Sequence, residues 1–121
     1  MNLKISTRVL DGILVIDCSG RIVFGDEAAA LREVVKVALE KSPNMVLNMA
    51  GVSYVDSGGL GTLVGLYTSA RNVGGTMKLA ALNSRVVGLL QVTKLVTVFE
   101  LYNNEQLAVQ SFAPKAAAKA G

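Results

Sequence analysis

One serine has unusual neighbours in the stretch Val55-Asp-Ser-Gly-Gly-Leu-Gly-Thr-Leu63. Asp56 and Ser57 are followed by Gly58, Gly59 and Gly61, just where an apolar run of helical spacing begins. Three chemistries could use a hydroxyl in such a turn. A nucleophilic serine on a strand-to-helix elbow has the form G-x-S-x-G, but Val55 stands where the first glycine belongs. A phosphate-binding loop needs Lys and then Ser or Thr after its second glycine, and Gly61 is followed by Thr62 and Leu63. The third is a phosphate carried covalently by Ser57. At a helix N-terminus the free N–H groups and the macrodipole favour such an anion.

A purely structural use competes with all three. Asp56 or Ser57 can serve as an N-cap, accepting from the orphan N–H groups of the first turn. A cap does not need the glycines, which weaken a helix by about 1 kcal/mol each against alanine. Glycines 58 and 59 are therefore expected to bare the backbone for the close approach of another molecule. A partner packed there would not tolerate a phosphate beside Asp56, because burying nearly two charges in a dry interface is costly. Ser57 then reads as an on/off switch for binding.

Composition removes other functions. The 121 residues contain no histidine and one cysteine, Cys18. A Ser-His-Asp triad or a zinc site cannot be assembled from them, so we expect no catalytic residues, no metal and no cofactor, and a protein that is not an enzyme. Cys18 lies in an apolar run and reads as a buried small hydrophobe. The net charge is +3, and the 12 Lys and Arg are scattered singly, which argues against nucleic-acid binding. No stretch reaches the roughly 18 apolar residues of a membrane span, and the N-terminus lacks the apolar core of a signal peptide. The expectation is a soluble cytoplasmic protein.

The elements that must position the serine can be read from periodicity. Leu3, Ile5, Thr7 and Val9 alternate with polar residues, as in a half-buried strand. Asp11-Gly12 is a hairpin signal before the apolar strand Ile13–Cys18. Leu31, Val34, Val35, Ala38 and Leu39 mark one face of a helix that starts at Asp26 and ends by Pro43. A third strand is read at Met45–Ala50. A second helix carries Leu60, Leu63, Val64 and Tyr67 and stops at Gly74-Gly75. A fourth strand follows at Met77–Leu82, then a short helix capped by Asn83 or Ser84 and a fifth strand at Val96–Tyr102. A last helix opens at Asn103 or Asn104. The order implies a single-domain α/β fold, a mixed sheet of about five strands with helical cover. The Asp56-Ser57 turn should lie beyond the carboxyl end of the third strand, the edge where open α/β sheets place their sites. Residues 1–112 are read as the domain and 113–121 as a flexible tail.

The run from Met45 to Asn83, with its apolar strand, Asp-Ser-Gly-Gly-Leu-Gly turn, helix, Gly-Gly and next strand, resembles the STAS domain of bacterial anti-sigma factor antagonists. Cys18–Ile22 and the helix after it match in position, and the resemblance runs from about Leu3 to Phe112. It implies a partner-switching regulator of transcription with no catalysis of its own. Ser57 would be the residue phosphorylated by an anti-sigma factor serine kinase, with ATP consumed by the kinase, and a phosphatase would reset it. Asp56, Gly58, Gly59, Leu60 and Gly61 would shape the surface the kinase covers. Val23, Phe24, Gly25 and Asp26 should lie beside it on the same edge. Two departures stand out. Gly58 replaces a second serine common in the family, and the acids of the preceding loop are displaced to Asp26 and Glu27, leaving Arg21 and Phe24 in that region. Two other readings of the turn are a STAS scaffold or accessory subunit of a stress-signalling or transporter-associated complex, and a nucleotide or small-anion binding module.

Overall fold

The computed structural model describes residues 1–112; the expected tail, 113–121, lies outside the described residues. The chain begins with two antiparallel strands, β1 (Leu3–Leu10) and β2 (Ile13–Ile22). Asp11 and Gly12 join them, both at positive φ (54° and 79°), as a tight two-residue hairpin requires. Helix α1 (Asp26–Leu39) leads to β3 (Asn44–Val55), and α2 (Ser57–Asn72) leads to β4 (Thr76–Ala80). Then come α3 (Ser84–Val92), a 3₁₀ turn (Leu95–Thr97), the two-residue β5 (Leu101–Tyr102) and α4 (Glu105–Gln110). The five strands lie in chain order, and every pair after the first hairpin is parallel.

The central strands are buried on both faces, which explains their unbroken apolar runs. Leu14, Ile16 and Cys18 of β2, Met45 and Leu47 of β3, and Met77 and Leu79 of β4 face one way. They meet Leu31 and Val35 of α1, Leu60, Leu63 and Leu66 of α2, and Val86 and Leu90 of α3. Val34, Leu39, Val64 and Tyr67, expected on the helical faces, pack at the margin of this core. On the opposite face Val15, Val46 and Ala80 meet Ala108 and Val109 of α4. Arg8 ties that helix to the sheet: its guanidinium donates to both Asp17 and Glu105. Lys78 is buried under the same cover, with Nζ donating to Ser111 Oγ at 2.7 Å and lying 4.1 Å from the Phe112 ring centroid.

Four element boundaries differ from the periodicity reading. Strand β2 continues to Ile22, and β3 runs on through Gly51–Val55 to the foot of α2, with register shifts between the two. Strand β4 ends at Ala80, because Ala81 turns into the left-handed region (φ 62°). The expected strand Val96–Tyr102 is mostly a 3₁₀ turn, with only Leu101 and Tyr102 in the sheet. Cys18 is buried as expected, and burial pushes its thiol pKa up to about 12.

Candidate functional site

Asp56 is the N-cap of α2, and Ser57 is the first helical residue. The Asp56 carboxylate accepts from the Gly59 N–H at 2.7 Å, an ordinary cap bond. It also accepts from the Phe24 N–H, at 3.1 and 3.2 Å to its two oxygens, while the Asp56 N–H donates to the Ile22 carbonyl at 3.3 Å. One side chain therefore starts α2 and pins the β2–α1 loop beside it. These N–H groups favour the charged form: the Gly59 bond foremost, then those of Phe24 and Gly58, hold the Asp56 carboxyl below its ordinary value.

The sign of the pH effect follows. A carboxyl lowered on folding contributes stability that is complete above its ordinary value of 3.8 and is lost as pH falls through the lower folded-state value. Asp56→Ala is expected to lower the thermal midpoint at pH 7 and to speed amide exchange at Phe24 and Gly59 together. Asp56→Asn, an equally good cap, should restore most of the midpoint and lose part of the acid sensitivity below pH 3.8. Unchanged exchange at Phe24 in the alanine variant would show that the loop is held by something else.

The glycines have an intramolecular role that the sequence reading did not assign to them. A Cβ on Gly59 would lie 1.9 Å from the Ile22 carbonyl oxygen, and one on Gly58 would lie 2.6 Å from Phe24 Cβ. The end of β2 at Ile22 and the loop residue Phe24 press against these positions, so the fold itself requires glycine at both. Gly59 and Leu60 are buried. Gly61 is exposed, and a Cβ there meets nothing within 4 Å.

Ser57 is exposed, and so are Phe24, Gly25 and Asp26. Phe24 is 80% exposed, so core packing does not explain this aromatic residue. Val23 is half-buried, and its carbonyl accepts from Ala28 N–H at the start of α1. Gly25 holds φ 107°, a conformation that side-chain-bearing residues rarely adopt. Sequence reasoning missed the far wall of the site. Ser57 lines a shallow groove with Tyr54, Arg85, Leu89 and Val92, where Val92 is 82% exposed. Arg21 stacks on Tyr54, 5.6 Å from its ring centroid. Nothing near Ser57 in the sequence points to α3, which enters through the fold: Asn83 Nδ2 donates to the Val52 carbonyl at 3.0 Å. Among the described residues there is no group of three or more His, Cys, Asp or Glu placed to hold a metal, and no helix long and apolar enough to cross a membrane. The arrangement offers an exposed hydroxyl at a helix N-terminus, beside one arginine and an exposed aromatic loop.

The sequence profile described as the STAS domain matches residues 4–108. The anti-sigma-B factor antagonist of Bacillus subtilis (strain 168) is 28% identical over 111 residues, covering 91% of this chain and all (100%) of the relative. The anti-sigma F factor antagonist of Paenibacillus polymyxa is 26% identical over 106 residues, covering 87% of this chain and 91% of the relative. The crystal structure of an anti-sigma factor antagonist from Mycobacterium paratuberculosis superposes with a TM-score of 0.78 at 23% identity, covering 90% of this chain and 92% of that one.

Proposed function

The chain belongs to the STAS domain family, and on that basis we propose that it is an anti-sigma factor antagonist switched by phosphorylation of Ser57. The unphosphorylated protein binds an anti-sigma factor serine kinase and so frees a sigma factor in the cytoplasm. Phosphorylation releases it, and a phosphatase restores it. Relatives of similar length carry the name of antagonist, which supports a regulatory binding protein and not an enzyme. The observation that carries the switch is the placement of Ser57, exposed at the first position of α2 with Asp56 already serving as the cap. The hydroxyl is spare: modifying it breaks no cap bond.

The chemistry asks little of this chain. Ser57 Oγ attacks the γ-phosphorus of the kinase's ATP, a new O–P bond forms, and the bond to the β-phosphate oxygen breaks to release ADP. The hydroxyl proton goes to a base that we assign to the kinase, because the neighbouring Asp56 carboxylate is already held by the Gly59 and Phe24 N–H groups. The product carries nearly two negative charges. The α2 N–H groups and Arg85, which shares the groove with Ser57, make those charges tolerable to the free domain. The same charges oppose a partner lying over Phe24 and the turn.

Incubation with ATP and a cognate anti-sigma factor serine kinase is expected to add one phosphate, located at Ser57 by mass spectrometry. A Ser57→Ala protein that still takes up label would sink the assignment.

A further inference from the structure

A groove of about 560 Å³ runs between α1 and α2 and is bordered by Phe24 and Gly58. Its floor is apolar, formed by Val35, Leu39 and Leu66, and its α2 wall is made low by Gly61 and Gly65. Both glycines are exposed, and a Cβ on either meets nothing within 4 Å. The fold therefore does not explain them, unlike Gly58 and Gly59, and each weakens an exposed helix interior. The charged lining is of one sign. Arg32 and Lys36 border the groove and no carboxylate does. Arg32 donates only to the neutral Thr62 hydroxyl, at 3.2 Å, and neither cation joins an ion pair among the described residues.

Resting on the reading above, we propose that this groove is the second half of the partner interface and seats an acidic amphipathic helix of the kinase. An apolar channel between two helices accepts the apolar face of a third. The glycines at a spacing of four let its backbone come close, and the two unpaired cations select carboxylates on its flanks. Phe24 joins the halves, since it touches Gly58 and borders the groove while its loop is pinned to Asp56. The residues beyond 112 carry Lys115 and Lys119 and no acid, so the chain's own end has the wrong sign to fill the groove.

The test measures the affinity of the full chain for the purified kinase at low and physiological salt. It uses wild type, Arg32→Glu/Lys36→Glu, Gly65→Gln and Ser57→Asp. Gly65→Gln fills open space and replaces a helix glycine, so it should melt no lower than wild type while binding at least tenfold more weakly. The double charge reversal should also lose tenfold or more, and most of the salt dependence with it. Loss in the charge variant alone would indicate long-range steering and overturn docking in the groove. Loss in Gly65→Gln alone would overturn the acidic partner. If neither changes binding while Ser57→Asp abolishes it, the groove proposal fails and the phosphorylation switch survives. If the groove variants lose affinity and Ser57→Asp does not, the groove stands and the switch fails. Wild type that does not bind the kinase removes both. A concentration-dependent dimer abolished by Gly65→Gln would assign the groove to a second copy instead.

Discussion

Gly59→Ala is expected to cost about 3 kcal/mol of stability, because its Cβ would sit on backbone and not on a side chain that could turn away. The nearest atoms would be the Ile22 carbonyl oxygen at 1.9 Å and its carbon at 2.7 Å. Ile22 cannot yield easily. Its side chain is fully buried, and its carbonyl accepts from Asp56. A domain of this size has roughly 5–15 kcal/mol in all, and such a loss lowers its melting temperature by roughly 10–20 °C. Gly61→Ala, two residues on, has open space and should gain up to about 1 kcal/mol from helix propensity. Melting the two variants beside wild type gives opposite signs for the same chemical change. A Gly59→Ala protein that melts within a few degrees of wild type would falsify the close crossing of α2 over β2.

The second large effect is on binding. Ser57→Asp is expected to weaken the kinase complex a hundredfold or more, about 2.7 kcal/mol, while Ser57→Ala binds as wild type does. The asymmetry follows from the division of labour at the turn. Asp56 holds the cap bond and the Phe24 loop, so losing the serine hydroxyl disturbs neither. A carboxylate at 57 adds a second negative charge beside Asp56 in a surface that must become dry. Titration calorimetry on the three proteins decides the matter. Equal affinities for wild type and Ser57→Asp would leave Ser57 without a switching role and favour a scaffold.

Much of this was legible in the chain, and the failures have physical causes. The alternation from Leu3 to Val9 and the Asp11-Gly12 turn suffice for the hairpin, because both signals are local. Helix α1 was equally plain. The Val96–Tyr102 segment misled because Val, Thr and Phe favour strands. Beneath that composition, Leu95, Val98 and Phe99 are spaced as on a helical turn and face the core together, while Val96 and Thr97 stay exposed. Lys94 opens the turn at φ 67°, which propensity does not reveal. The glycines of the site show a different limit. Whether a glycine is bare for a partner or pressed by the chain itself depends on what crosses it. At Gly58 and Gly59 that is the end of β2 and the loop after it, more than thirty residues earlier in sequence. The motif pointed to the turn, but only the fold separated the two kinds of glycine within it.

The strand order has a consequence for how the molecule is made. Each strand pairs with the one before it in the chain, from β1 to β5. None has to be inserted between two already paired. The sheet can therefore grow at one margin in the order in which a ribosome delivers it, hairpin first and one strand-helix unit at a time. Each parallel pairing still closes a crossover through a helix, from Leu14 to Met45 and from Met45 to Met77, and such non-local contacts slow folding. The cost is a temporary edge: until β4 emerges, Met45, Val46 and Leu47 of β3 are paired only on the β2 side. In the interval between β3 and β4 that apolar edge is a template on which nascent chains can pair with one another.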